Sequence, residues 1–547
     1  MKEITKPSSA PSSVWYNDKN KIMGFPQLNS NLETDVLIVG GGIAGLSTAY
    51  CVASSGKKVI VVEDGAIGSG ETGKTTAQLV TALDTRYYKM ETVFGVADTA
   101  LIAESHQQAI TFIEDLIRRE KIDCEFERLD GYLFLHPHDQ QDSLLKERDA
   151  LLRSGQTTAL LENTPGIPTE GKSLLFPMQA QFHPMKYLLG LCKAIVEKGG
   201  QIYVNTHASV INHTGITSDK GFTISAKHIV VATNAPVNDT YAMMLKQTAF
   251  RSYVISGLVK KQILPKALWW DTGDQQNENG QPYHYVRTTA YDDDFDLLIC
   301  GGEDHPVGVI GEFSENERFE RLEMWTRARF PIETITHKWS GEVLIPMDSI
   351  AYLGRNPFDK KNAYIITGDA GIGMTYCTIG ARIICDLIND VGNRYESLYA
   401  PSRFHLKASG PFFKTVMGDI EGILHKWFSG KGEQLDTLGL DEGKIIEIEG
   451  HRCGAYKDAS GHLFLVSAEC THLKCILCWN ASEKSWDCPC HGSRFSFTGE
   501  VLNGPANENL KSYDTPQACA SASESMATSN SGYNRIKQIR SHLKNKR

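Results

Sequence analysis

What the chain lacks narrows it first. No stretch reaches the roughly 18 uncharged apolar residues of a membrane span, and the opening MKEITKPSSAPSS has no apolar core of a secretory signal, so a cytoplasmic protein is expected. Positive charge is short: the formal net charge is -9, which argues against a nucleic-acid partner, whose phosphates demand a basic footprint. Cysteine, 13 of 547 residues, is too sparse for a disulfide scaffold. No internal repeat is found, and the length exceeds what one core supports, so about three or four domains are expected.

Two local exceptions stand out. The last 13 residues, RIKQIRSHLKNKR, hold six Lys/Arg and no acid, which leaves -15 for the rest. On a helix Ile536, Ile539 and Leu543 form an apolar stripe suited to an acidic partner or a membrane surface, while a solvated tail is the plainer reading. The second exception is that five cysteines, Cys470, Cys475, Cys478, Cys488 and Cys490, fall within 21 residues. Such crowding in a chain of cytoplasmic character points to metal before structural disulfides.

The apolar pattern opens with a strand at Thr34 to Val39, a helix from Ile43 to Ser55 ended by Gly56, and a strand from Lys58 to Glu63. This is β-α-β, the start of a parallel sheet. Helices are expected over Leu101 to Glu120 and Pro184 to Lys198, and strands at Gly131 to His136, Gln201 to Asn205 and His228 to Thr233. Alternation between about 250 and 345 predicts an antiparallel sheet. Ala363 to Thr367 and a helix from near Thr375 return to the buried parallel style.

Between the first strand and helix lie Gly40, Gly42 and Gly45 in VGGGIAGLSTAY. The first permits the turn, the second lets backbone approach a pyrophosphate, and the third lets helix and strand pack closely. The second strand ends at Glu63, where an acid holds ribose hydroxyls. A dinucleotide is therefore expected. Residues 68 to 75, GSGETGKT, also satisfy the P-loop pattern G-x-x-x-x-G-K-[ST]. A P-loop must join a strand directly to its phosphate helix, yet here Asp64 to Ile67 intervene after the ribose acid. These glycines, with Thr72, Thr75 and Thr76, instead suit a loop folded over the same dinucleotide.

DVLIVGGGIAGLSTAY, GSGETGKTTAQLV, WSGEVLIPMDSIAYLGRNP and YIITGDAGIGMTYCTIGARIICDLI resemble the FAD-dependent oxidoreductases of the D-amino-acid oxidase and glycine oxidase superfamily, over roughly residues 14 to 395. The resemblance implies FAD as cofactor. It places Gly368, Asp369, Gly371, Gly373 and Met374 near the ribityl chain and isoalloxazine, with the Thr375 helix aimed at the ring. It also implies oxidation of a small amine or amino-acid-like substrate whose carboxylate meets an arginine of the antiparallel sheet. Arg287, sharing a strand face with Tyr283 and Tyr285, is the candidate and Arg251 its competitor; a surface arginine is the bland alternative, and His284 reads equally as a core histidine.

Residues 470 to 491 read CTHLKCILCWNASEKSWDCPCH. A Rieske centre would use Cys470 and Cys488 on one iron and His472 and His491 on the other. A ferredoxin site would use Cys470, Cys475 and Cys478 and leave both histidines unexplained. Zinc would use Cys475, Cys478, Cys488 and Cys490 with too short a spacer, since ribbons leave about 15 to 20 residues between their pairs. The Rieske reading alone employs both histidines. CTHLKC, CPCHGS and GEVLNGPA also resemble the cluster and proline loops of the Rieske domains of cytochrome bc complexes. That resemblance implies a Cys475–Cys490 disulfide and a Ser493 hydrogen bond to a cluster sulfide. Cys478 is left without a role, and the DTPQACASAS that follows Leu510 leaves the domain's closing strand expected missing.

The expected architecture is α/β: a 1–33 leader, then an FAD-dependent oxidoreductase at 34–395. Its Rossmann-like FAD-binding parts fall at about 34–90, 176–240 and 341–395, interleaved with antiparallel substrate parts at about 91–175 and 241–340. A linker at 396–432, a small all-β Rieske domain at 433–513 and a low-complexity, basic tail at 514–547 follow. Electrons are expected to pass between FAD and the [2Fe-2S] cluster and to a further acceptor or donor. Where respiratory Rieske proteins carry a tyrosine beside a ligand sulfur, this chain has Phe495. Lost hydrogen bonds to sulfur lower the potential within its roughly -150 to +300 mV span. Phe495→Tyr should therefore raise the midpoint measured by voltammetry, and an unchanged midpoint would show that position 495 does not touch the ligand sulfur.

Overall fold

The computed structural model describes residues 13–16, 24–168, 170–237, 243, 246–274, 283–307, 313–357, 359–405, 435–448 and 451–514. Most of the expected leader and linker, and the basic tail, lie outside the described residues. The chain divides into a larger unit, Pro11–Pro306 with Gly311–Lys414, and a smaller one built mainly of Thr415–Arg547. Among the described residues no helix is long and apolar enough to cross a membrane.

The larger unit rests on two sheets. One carries the dinucleotide-type core, in the order Tyr352–Arg355, Ala363–Thr367, Thr223–Val231, Leu32–Val39, Val59–Val62 and Gln201–Tyr203. Four of the five pairings along this order are parallel, and Val36 to Ile38 and Val59 to Val62 are almost wholly buried. A continuous apolar run is what a parallel strand covered on both faces requires. The helices Ile43–Ser54 and Gly373–Ile388 pack on one another against this sheet.

The second sheet has nine strands, with Gln247–Lys260, Phe295–Pro306 and His284–Ala290 antiparallel at its centre. The alternation of 250–345 marked this sheet but concealed a helix inside it, Glu315–Arg329. Its signal was local: Ser314 and Glu317 form a reciprocal capping box. The helix expected from Leu101 begins at Tyr87 and carries a break at Gly95, whose φ is 77°.

The smaller unit holds two four-stranded sheets, one from Glu442–Ile448, His451–Lys457, Leu463–Ser467 and Ser512–Tyr513, the other from Cys478–Asn480, Ser485–Asp487, Arg494–Ser496 and Val501–Asn503. The closing strand expected to be missing is present in short form, because Ser512 and Tyr513 pair with Val466 and Leu465.

The turn into the first helix leaves no room for side chains. A Cβ on Gly45 would stand 1.9 Å from the Gly40 carbonyl oxygen, and one on Gly40, at φ 114°, would stand 2.4 Å from that of Ala232. Both obstacles are backbone. Gly45→Val should destabilise the protein by about 3 kcal/mol or more, read as a lower thermal midpoint together with loss of bound flavin.

Candidate functional sites of the two units

At the first strand's end the helix Ile43–Ser54 begins without a side-chain cap from Gly42, which leaves the start of a helix open to phosphate. The Ile43 amide donates to Thr72 Oγ1 at 3.1 Å. Glu63 closes the second strand, and its carboxylate accepts from the amides of Gly41 at 2.6 Å and Gly65 at 2.8 Å. The glycine cradle that a Cβ would fill, the open helix end and the oriented acid fit the pyrophosphate and ribose of FAD.

GSGETGKT is not a P-loop. It forms a short turn, Glu71–Lys74, that leads to the two-residue strand Gln78–Leu79 instead of a phosphate helix. Lys74 Nζ meets Glu71 at 3.1 Å, and its carbonyl accepts from Trp339 Nε1 at 2.7 Å. Residues of the leader lie over the same loop. Tyr16 donates to the Gly68 carbonyl at 2.6 Å, Trp15 Nε1 to that of Thr75 at 2.6 Å, and Ser13 to that of Gly73. A polar, Pro/Ser-rich leader is expected to drape over the first domain, and its described residues Ser13, Trp15 and Tyr16 do so at this loop.

Arg287 shares its strand face with Tyr285 as expected, but its guanidinium is committed elsewhere than to a substrate carboxylate. Nη1 donates to the carbonyls of Thr76, Ala77 and Phe182 at 3.0 to 3.1 Å. The Trp15 ring lies 5.5 Å away. Burial lowers its pKa to about 9. Arg287 thus clamps the loop that carries Thr75 and Thr76. Arg251 is buried too, at 2% exposure. His284 reads as a core histidine: it is buried, its Nδ1 lies 2.8 Å from Asp271, and its ring stacks on Trp325 at 4.1 Å.

The GDAGIG loop turns on Gly368 (φ 70°) and Gly371 (φ 81°). Asp369 accepts from the Gly371 amide, its Oδ1 has no partner, and burial pushes its carboxyl up to about 7. A Cβ on Gly373 would stand 2.5 Å from this carboxylate. Met374 is buried, and the Thr375 hydroxyl lies 2.8 Å from His106 Nδ1. Burial drives the His106 pKa down to about 3, so the ring stays neutral.

Beside this loop the structure gathers residues that the sequence reading passed over. Asp84 Oδ2 accepts from Tyr283 OH at 2.8 Å and would stand 2.6 Å from a Cβ on Gly371. Ser252 Oγ lies 2.6 Å from Tyr285 OH, and Asp304 bonds to Ser252. Burial pushes the carboxyls up, Asp84 to about 6 and Asp304 to about 7. The available signal was an acid, Asp84, set at the end of the apolar run AQLVTALD.

In the smaller unit two loops face each other. The Cys470 and Cys488 thiols hydrogen-bond one another, which holds Cys470 below and Cys488 above the ordinary thiol range. Backbone amides of His472 and Leu473 point at the Cys470 sulfur, and those of Cys490 and His491 at the Cys488 sulfur. The imidazoles of His472 and His491 stand 5.2 Å apart, centroid to centroid. His491 Nδ1 is buried without a partner, and burial holds that ring neutral with its pKa near about 3. Cys475 and Cys490 are disulfide-bonded, joining the loops, so the close trio Cys475, Cys488 and Cys490 does not offer three thiolates. Ser493 bonds to the Cys470 thiol and accepts from the Ala506 amide at 3.0 Å. Phe495 is fully buried. Two amide-supported thiols opposite two imidazoles fit a [2Fe-2S] cluster with mixed ligands.

Residues 35–387 match the family described as FAD dependent oxidoreductase, and residues 433–514 match the Rieske [2Fe-2S] domain. YhfW of Bacillus subtilis, named as a Rieske 2Fe-2S iron-sulfur protein, is 33% identical over 92% of this chain and 98% of its own. Gamma-glutamylputrescine oxidoreductase of Escherichia coli is 26% identical over 71% of this chain and 91% of its own. Among solved structures, glycine oxidase from Geobacillus kaustophilus superposes with a TM-score of 0.56 at 16% identity, covering 68% of this chain and all of that one. At that identity the likeness shows the fold.

The raised carboxyls carry a pH dependence. Asp304 in the folded protein, at about 7, holds its proton more tightly than an unfolded aspartate at 3.8. Its contribution to stability is therefore full below about pH 4 and is lost as pH rises toward 7. Asp304→Asn removes the penalty, so its thermal midpoint relative to wild type should rise between pH 4 and pH 8; a constant difference across that range would show that Asp304 does not titrate there.

Proposed function

The chain belongs to the FAD dependent oxidoreductase family and ends in a Rieske [2Fe-2S] domain, and from that premise we propose that it oxidises a small amine or amino-acid-like substrate and exchanges the electrons between flavin and cluster. The protein is an enzyme with two redox cofactors. The finer claims, electron passage between them and onward exchange with a partner, rest on one observation. A dinucleotide cradle and a Cys2His2 constellation of Rieske spacing occur in one polypeptide, which unites a two-electron with a one-electron carrier.

In this reading Gly40, Gly42 and Gly45 receive the pyrophosphate at the helix start, and Glu63 orients the ribose. Thr72, Thr75 and Thr76 form the covering loop, with Arg287 as its positioning clamp in place of the anchoring role first expected of it. Gly368, Asp369, Gly371, Gly373 and Met374 line the ring. Cys470, His472, Cys488 and His491 hold the cluster, while the Cys475–Cys490 disulfide and Ser493 steady it. Residues 34–395 and 433–513 form the two functional domains. Bound FAD supplies a two-electron acceptor; the protein's own groups exclude water and orient the substrate.

Anaerobic titration of the purified protein with amines and amino acids tests the proposal. Substrate should bleach the flavin and the paramagnetic signal of a histidine-ligated [2Fe-2S] pair should then appear. Bleaching without that signal, with rapid reoxidation by oxygen, would make it an oxidase whose cluster serves another role. A full panel without bleaching would leave it an electron-transfer protein.

A further inference from the structure

The face of the antiparallel sheet turned toward the GDAGIG loop carries two hydrogen-bonded arms. In one, Tyr283 donates to Asp84 at 2.8 Å; in the other, Tyr285, Ser252 and Asp304 are linked in sequence, with Tyr285 OH 2.6 Å from Ser252. The two tyrosine rings lie 5.5 Å apart. Gly301 makes room for the second arm, since a Cβ there would stand 2.2 Å from the Tyr285 ring. Asp84, Tyr283, Tyr285 and Asp304 keep some exposed surface, although desolvation dominates the ionisation of all four. Four polar groups that are deep yet partly exposed mark a candidate recess between them.

The charges acting on the two acids are mixed, with Arg86 favouring the Asp84 carboxylate and His284 that of Asp304 while Asp84 and Glu303 oppose the latter, and what is left over is an acceptor. Asp304 Oδ1 is buried without a partner. Arg86, the arginine that acts on Asp84, donates to the backbone carbonyls of Leu83 at 3.1 Å and Asp271 at 3.0 Å. A buried acceptor left unmatched costs free energy that a cationic ligand recovers, and an anion brought beside two carboxyls meets the opposite.

We propose that the recess between Asp84 and Asp304 binds the substrate through its ammonium group, so that the substrate class is an amine with no carboxylate on the reacting carbon. This deepens the reading above and rests on it, because the nearness of Gly371 to Asp84 and Tyr283, 2.6 and 3.7 Å from a Cβ built at that glycine, puts the recess beside the flavin only if the GDAGIG loop lines the ring. The same charge distribution discriminates. Replacing a methyl by a carboxylate on the amine-bearing carbon turns a ligand complementary to the two acids into one repelled by them.

Calorimetric titration of the FAD- and cluster-loaded protein with tert-butylammonium and with 2-aminoisobutyrate tests the proposal. Neither molecule has a hydrogen on its amine-bearing carbon, so neither can be oxidised, and they differ only by a methyl in place of a carboxylate. The ammonium should bind at least tenfold more tightly. Asp84→Asn and Asp304→Asn, each with an unchanged flavin spectrum and thermal midpoint at the working pH or corrected for it, should each weaken it tenfold or more and leave aminoisobutyrate no weaker. Tighter or equal binding of aminoisobutyrate, no binding of tert-butylammonium, or indifference to both substitutions would overturn the proposal. Flavin bleaching separates the two readings. Bleaching by amino acids, with aminoisobutyrate the tighter ligand, sinks the amine class alone, whereas a panel that bleaches nothing sinks the enzymatic reading beneath it.

Discussion

The larger unit turns on one buried cation. Arg287 comes from the centre of the antiparallel sheet, yet its guanidinium ends among the carbonyls of Thr76, Ala77 and Phe182. Ala77 is held at φ 60°, a conformation that non-glycine residues adopt only when their surroundings impose it. A cation with no carboxylate in contact supplies that imposition, because backbone carbonyl oxygens are the acceptors it has and leaving them would strand its charge in low dielectric. The clamp joins the sheet that would meet substrate to the loop that would cover the dinucleotide, and the Trp15 ring of the leader lies 5.5 Å from the guanidinium. Losing the arginine would take this donor from the carbonyls of Thr76, Ala77 and Phe182.

The two candidate sites use burial in opposite ways. Beside the GDAGIG loop, burial keeps Asp84, Asp304 and Asp369 partly protonated near neutrality, a reserve of charge that a cation can call upon. Between the cysteine loops, burial keeps His491 neutral, which preserves the lone pair a metal needs, while backbone amides aimed at the Cys470 and Cys488 sulfurs favour their charged forms. The disulfide between Cys475 and Cys490 ties the two loops, so the ligand pairs keep their spacing without a continuous element between them.

Much of this is legible in the sequence. The β-α-β opening, the glycine spacing and the acid at Glu63 are local features, and each follows from what one turn or one strand end can accommodate. The spacing of Cys470, His472, Cys488 and His491 is likewise a short-range pattern that only one metal chemistry uses in full. The helix Glu315–Arg329 was overlooked although its capping box was in plain view, because the surrounding alternation was extended across it. The short closing strand Ser512–Tyr513 was overlooked because two residues carry no period.

The sequence by itself determined the cofactor classes, since phosphate cradles and metal ligands are set by residue type at close spacing along the chain. Tertiary structure alone decided what the substrate would meet. Arg287 carries the right charge on the expected strand face, but which atoms its guanidinium reaches depends on Thr76, Ala77 and Phe182, more than 100 residues away in sequence. Asp84 and Tyr283, 199 residues apart, become one arm of a recess only when the sheet and the loop after the dinucleotide cradle are brought together. Charge is written in the residues; its availability is settled by what folds against it.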